Sequence, residues 1–73
     1  MDKQYYLDFI LQSLKQHGSL SRKDINELLW GKLPDILNES QKKNKITNLI
    51  AELRHKGKIT NQGTFAFPQW VLL

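Results

Sequence analysis

The chain has 73 residues, no cysteine and a net charge of +4, which predicts a single domain, residues 1–73, with a small core. The lack of cysteine excludes disulfide-stapled secreted folds and thiolate metal sites. No segment approaches the roughly 20 apolar residues that a membrane span needs, so we expect a cytoplasmic protein.

The first segment predicts a helix over about residues 3–17. Its apolar side chains recur at helical spacing and form the expected buried stripe of Tyr6, Leu7, Ile10, Leu11 and Leu14. Asp2 is placed to cap this helix, because its carboxylate can accept from backbone amides two or three residues on. Gly18 suits the left-handed conformation that ends a helix.

A second, shorter helix is predicted over about residues 22–30. Ser21 and Asp24 have the spacing of a capping box at its start. Its apolar residues repeat at i, i+3 and i+4: Ile25, Leu28 and Leu29. Just before it, residues 19–20 are long enough only for a short piece of strand, which can add to a later hairpin.

The connector after this helix is unusually apolar. Gly31 and Pro34 break the helix, yet three large apolar residues follow within a few positions: Leu33, Ile36 and Leu37. We expect the connector to fold back onto the core as one tight helical turn.

The longest predicted helix covers about residues 39–56. Asn38 and Gln41 have the spacing of a second capping box. The inward stripe of this helix is Ile46, Leu49, Ile50 and Leu53. Gly57 is placed to end the helix.

The pattern then changes from helical to extended. Residues 58–60 indicate a strand, 61–63 a turn, and 64–67, which are rich in β-forming residues, the returning strand. Pro68 lacks a backbone donor and is expected at a sheet edge or where pairing ends, and residues 70–73 form an apolar tail. The order of elements predicts an α+β fold, mainly α: a winged helix-turn-helix of three helices and a small antiparallel β-hairpin.

Four short runs resemble one protein family. They are GSLSRKDI (18–25), KLPDIL (32–37), QKKNKI (41–46) and LRHKGKI (53–59). Together they are similar to the C-terminal winged-helix domain of bacterial RecG-related, ATP-binding transcriptional regulators. The resemblance implies that the chain is a C-terminal fragment of a larger protein with an ATP-binding part, and it implies a role in DNA binding.

The positive charge is concentrated where the third helix lies. Residues 40–58 contain six basic side chains and one acidic one, whereas the other 54 residues contain five basic and six acidic ones. Because the later helix of a helix-turn-helix enters the major groove, its outward and N-terminal residues are the predicted contacts to double-stranded DNA. These are Ser40, Gln41, Lys42, Lys43, Asn44, Lys45 and Asn48.

An ordinary solvated helix face would show the same polar residues. Glu52 lies on this helix and would repel phosphate, although it can pair with Lys56 at i, i+4. The predicted hairpin carries only Lys58 at its base, so any contact from its turn, residues 61–63, is expected to be polar and weak.

The first helix suggests a different function. Tyr5 and Phe9 lie one turn apart, opposite the buried stripe, and two exposed aromatic rings on one face are unusual in a small monomer. Either Trp70 and the apolar tail cover them, or they contact the parent ATP-binding domain or a second copy of the chain. The alternative function is therefore a protein-interaction or dimerisation domain.

The sequence predicts no enzyme activity. His17 and His55 are far apart, and each stands at a predicted helix C-terminus, where a positive charge suits the helix dipole. There is no glycine-rich phosphate loop and no metal-ligand spacing. We therefore expect no catalytic residue, no metal and no cofactor in this domain.

Overall fold

The computed structural model describes residues 3–73 as three helices and a three-stranded antiparallel sheet. The elements are α1 (Lys3–His17), β1 (Leu20–Ser21), α2 (Arg22–Trp30), α3 (Glu39–His55), β2 (Ile59–Asn61) and β3 (Gln69–Leu72). The mainly helical α+β class is confirmed, and the three predicted helices match to within one residue. The predicted cap at Asp2 lies outside the described residues.

Both predicted capping boxes are present. The Asp24 backbone amide donates to Ser21 Oγ at 3.1 Å, and the Gln41 backbone amide donates to Asn38 Oδ1 at 2.8 Å. At the helix C-termini, Gly18 and Gly57 adopt left-handed φ values of 82° and 72°, which only glycine adopts at little cost. These four positions set where α1, α2 and α3 begin or end.

One apolar core joins the helices to the sheet. Its buried members are Tyr6, Leu7, Ile10, Leu14, Leu20, Ile25, Leu29, Leu33, Ile46, Leu49, Ile50, Leu53, Ile59 and Trp70. The predicted inward stripe of α3 is buried along its whole length. Of the predicted stripe of α1, only Leu11 is partly exposed.

The sheet has the order β1-β3-β2, so the last strand in the chain is the central one. Leu20 of β1 and Asn61 of β2 both lie opposite Trp70 of β3. The predicted strand at 64–67 is wrong, because these residues belong to a loop at 62–68 and the returning strand begins after Pro68. Burial of Trp70 decides the register, because the large ring reaches the core only if residues 70–72 pair with β2. These three residues belong to the expected apolar tail at 70–73.

The connector between α2 and α3 also departs from the prediction. Leu33 is buried, but Ile36 is 90% exposed. The Leu37 amide donates to the Pro34 carbonyl oxygen at 3.1 Å, a hydrogen bond that closes one tight turn, as expected. The connector therefore anchors to the core through Leu33, with Leu37 packed at the core's edge, and leaves Ile36 in solvent.

Within residues 3–73, none of the helices combines the length and the apolar character needed to cross a membrane.

Candidate nucleic-acid interface

One arginine ties α3 to α2. Arg22, the first residue of α2, donates from Nη2 to the Lys43 carbonyl oxygen at 3.0 Å and to Thr47 Oγ1 at 2.8 Å. Its Nε donates to Asn26 Oδ1 at 3.0 Å, which aligns the guanidinium along α2. Burial lowers the pKa of Arg22, but the group stays cationic because an arginine pKa lies far above neutral pH. The angle between α2 and α3 is thus held by polar contacts as well as by the core.

An open groove runs along α3 beside the start of α1. It is lined by Lys3, Gln41, Asn44, Lys45, Asn48, Leu49 and Glu52. Four of the seven predicted DNA contacts therefore share one surface: Gln41, Asn44, Lys45 and Asn48. The other three, Ser40, Lys42 and Lys43, are not part of its lining.

Asn44 and Asn48 are the amide side chains of this groove with unused hydrogen-bonding groups. Both are exposed and lie one helical turn apart, and neither side chain is hydrogen-bonded to any residue from 3 to 73. Gln41 differs, because its Oε1 accepts from the Asn38 backbone amide at 2.9 Å. A carboxamide presents a donor beside an acceptor, so Asn44 and Asn48 can each make the paired contact that an adenine edge offers.

Two lysines of α3 lie against aromatic rings. Lys45 Nζ is 5.6 Å from the centre of the Tyr6 ring, and Lys42 Nζ is 5.3 Å from the centre of the Trp30 ring. Such contacts orient the side chain while the charge is kept. Because Tyr6 belongs to α1 and Trp30 to α2, positive charge flanks the first turns of α3 on both sides.

Both acidic side chains of α3 are paired with lysines. The Glu52 carboxylate lies 2.7 Å from Lys3 Nζ and 3.2 Å from Lys56 Nζ, and the second pair confirms the expected i, i+4 contact. The hydrogen bonds from Lys3 and Lys56 hold the pKa of Glu52 below its ordinary value and outweigh the partial burial that raises it. Glu39 pairs with Lys43 at 3.2 Å. The repulsion expected between Glu52 and phosphate is therefore compensated by two neighbouring cations.

The loop of residues 62–68, between β2 and β3, carries two exposed aromatic rings. Phe65 is fully exposed, at 101% of its reference area, and Phe67 is 77% exposed. The whole segment from 59 to 73 has no charged side chain. The exposed part of the hairpin is therefore apolar at its apex, whereas the sequence indicated a polar turn.

This loop is organised by the side chain of Asn61. Its Oδ1 accepts from the backbone amides of Gly63 at 2.8 Å and Gln69 at 2.9 Å, and its Nδ2 donates to the Thr64 carbonyl oxygen at 3.2 Å. The Phe67 amide donates to Thr64 Oγ1 at 3.0 Å, and its carbonyl oxygen accepts from the Thr64 amide at 3.2 Å. A Cβ on Gly63 would lie 2.3 Å from that carbonyl oxygen, so the packing of the loop requires glycine.

Tyr5 and Phe9, the expected aromatic pair on α1, differ in exposure and in their neighbours. Tyr5 is 40% exposed, and its ring meets the Tyr6 ring edge-on with 5.5 Å between centres. Phe9 is only partly exposed: it packs against the core, and Lys32 Nζ lies 4.6 Å above its ring. Phe9 is thus not the open aromatic surface that the sequence suggested.

Several residues of this surface were missed by the sequence. Lys3 was not assigned to the groove, because its approach to Glu52 depends on how α1 packs against α3. The sequence indicates no role for Arg22, because its partners on α3 are more than 20 positions away. Phe65 and Phe67 were assigned to a strand, although Gly63 and Pro68 on either side are signals of a loop.

Comparison with protein-family models, with curated proteins and with solved structures found no match to this chain. The candidate interface accordingly rests on the residues described above. Among residues 3–73 no three histidine, aspartate or glutamate side chains are grouped closely enough to hold a metal ion.

Proposed function

We propose that this chain is a winged helix-turn-helix module that binds duplex DNA mainly through α3. The observation that carries the proposal is the exposed pair Asn44 and Asn48, with unused amide groups, in a groove that also contains Lys3 and Lys45. The order of three helices followed by a hairpin is compatible with such a module, with α2 and α3 as the helix-turn-helix. In this proposal the domain is a binding module of a larger cytoplasmic transcriptional regulator, not an enzyme.

In the proposed complex, the first half of α3 enters the major groove. Asn44 and Asn48 contact base edges, with a preference for adenine because each carboxamide can pair with its N6 and N7 atoms. Lys42, Lys43 and Lys45 contact phosphates, as does Ser40 beside the positive end of the helix dipole. Arg22 holds α3 at the angle at which these contacts are made together.

The first experiment tests whether the lysines bind phosphate. A fluorescent duplex is titrated with the chain at several salt concentrations, and three to five phosphate contacts predict a log–log slope of about −3 to −5. Replacing Lys42, Lys43 and Lys45 with Gln should reduce the slope by about one for each lysine. Lys15→Gln is the matched control, because it removes one exposed charge at the far end of α1 and should leave most of the slope. Absence of binding at low salt, or a triple variant indistinguishable from the wild type, would refute the proposal.

A second experiment tests base recognition separately from charge. Asn44→Ala and Asn48→Ala should each remove about 1–3 kcal/mol of discrimination between A·T and G·C sites, while the salt slope stays the same. Substituting 7-deazaadenine in the duplex removes the N7 acceptor and should weaken wild-type binding but not binding by the double variant. Gln16→Ala removes an exposed amide on α1 and should have no effect.

A protein-interaction or dimerisation domain is the alternative function. Its support is that several large apolar side chains outside the groove are exposed: Tyr5 at 40%, Ile36 at 90% and Leu73 at 76%. Sedimentation over a range of concentrations distinguishes the two. A dimer that dissociates when Tyr5 or Ile36 is replaced by a polar residue, in a chain that does not bind DNA, would favour the alternative.

A further inference from the structure

The apex of the β2–β3 hairpin has a combination of properties that its role in closing the core does not explain. Phe65 and Phe67 are 101% and 77% exposed, so their burial contributes little or nothing to folding. Exposed phenylalanine costs solubility. Yet the loop that carries the two rings is fixed by the hydrogen bonds of Asn61 and Thr64. The backbone from which the two rings extend is therefore fixed before any partner arrives.

The size and shape of this apex argue against a protein partner as the main occupant. Two phenylalanine side chains offer about 300–500 Å², whereas a stable protein interface buries about 800 Å² on each side. The rings stand on a seven-residue loop beyond the last strand pair, so they form a projection rather than a flat patch. A projection of this kind fits a narrow groove.

The charges around the hairpin suit a groove walled by phosphate. β2 begins four residues after α3 ends, and two exposed cations without an ion pair among residues 3–73, Arg54 and Lys58, stand at this junction. The hairpin beyond them is uncharged. A cationic base with an apolar tip is the arrangement by which proteins approach the minor groove and insert a wedge between base pairs.

We propose that Phe65 and Phe67 form a wedge that enters the minor groove of duplex DNA and partly unstacks a base step, while α3 occupies the neighbouring major groove. This inference rests on the proposed function of α3. It adds that the hairpin deforms the duplex, and that flexible pyrimidine–purine steps are favoured at the position of the wedge. The Asn61 side chain acts as a positioning residue, because it fixes the loop without contacting the DNA.

The test uses a duplex rich in T-A steps in which 2-aminopurine replaces one adenine at a time, since the fluorescence of this base rises when it is unstacked. Because 2-aminopurine lacks the N6 amino group that Asn44 and Asn48 would contact, only positions where the replacement leaves wild-type affinity unchanged are used. Binding of the wild-type chain should raise the fluorescence. The variant Phe65→Ala/Phe67→Ala should bind about tenfold more weakly for each ring lost, with an unchanged salt slope and no rise in fluorescence. Ile36→Ala is the matched control, because it removes a side chain that is 90% exposed on a different loop.

The outcomes separate the wedge from the proposal on which it rests. Salt-dependent binding with no change in 2-aminopurine fluorescence, or an Ala/Ala variant equal to the wild type, overturns the wedge and leaves α3 as the interface. A concentration-dependent dimer that the Ala/Ala variant abolishes also overturns it, since the rings would then bind a second copy. Failure of the wild-type chain to bind any duplex at low salt overturns both.

Discussion

Replacement of Arg22 by Ala should destabilise the chain more than any other substitution of a partly exposed charged residue. Three hydrogen bonds are lost, to Asn26, Lys43 and Thr47. A hydrogen bond from a charged group contributes about 1.5–3 kcal/mol when buried and less where water can replace it. Because Arg22 is half-buried, we expect a total loss of about 1.5–3 kcal/mol. Alanine is the better helix former, so helix propensity would act in the opposite direction.

A loss of this size is large for so small a domain. Stability of about 0.05–0.15 kcal/mol per residue gives this chain roughly 4–11 kcal/mol in total. In urea, an m-value near 1 kcal/mol/M places the expected midpoint about 1.5–3 M lower, with the m-value itself unchanged. Circular dichroism at 222 nm follows the transition, since all three helices contribute to that signal.

Two further variants isolate the interaction. Arg54→Ala removes an arginine of α3 whose side chain makes no hydrogen bond or ion pair with residues 3–73, and it should change stability by less than about 0.5 kcal/mol. Thr47→Val keeps the β-branched shape but removes the hydroxyl that accepts from Arg22. The double-mutant cycle of Arg22 and Thr47 should give a coupling energy above about 0.5 kcal/mol. An Arg22→Ala variant as stable as Arg54→Ala, or a coupling of zero, would refute the assignment of Arg22 as the tie between α2 and α3.

Three other predictions follow from individual contacts. Glu52→Gln should lower the free energy of unfolding at pH 7, and its difference from the wild type should shrink as the pH falls. The reason is that the lowered pKa of Glu52 gives stability that is present above about pH 4.3 and is lost as the carboxylate is protonated. The same difference at pH 7 and pH 3 in urea titrations would contradict this. Trp70→Phe should stay within about 1 kcal/mol of the wild type, because removal of the buried indole N–H, which has no partner among residues 3–73, offsets the lost apolar area. Trp70→Ala should cost about 3–5 kcal/mol, and a loss of the same size for Trp70→Phe would contradict the prediction. Gly63→Ala should cost about 1–3 kcal/mol in thermal unfolding, since the added methyl collides with the Phe67 carbonyl oxygen, and an unchanged Tm would mean that the loop yields freely.

The helices could be predicted because their signals are local. The capping boxes at Ser21 and Asn38 and the glycines at 18 and 57 each depend on residues within a few positions of one another, and all were found where the sequence indicated. The hairpin register could not be predicted in this way. The register depends on the burial of Trp70 in a core formed by helices that are far away in the sequence. The stability gained from this burial outweighs the local β-propensity of residues 64–67.

The candidate interface, likewise, could be predicted only where it depends on local signals. That Asn44, Lys45 and Asn48 share one surface follows from helical periodicity. The contribution of Lys3, and the compensation of Glu52 by two lysines, follow from how α1 packs on α3, which no spacing in the sequence encodes.

The position of β3 at the centre of the sheet determines when this domain can fold. Leu20 pairs with Trp70, and no strand pair in the sheet forms without residues 69–72. During synthesis the three helices can therefore assemble early, but the sheet cannot form until almost the whole of this chain has left the ribosome. Removing the last five residues should abolish both strand pairings at once and leave a loosely packed helical intermediate.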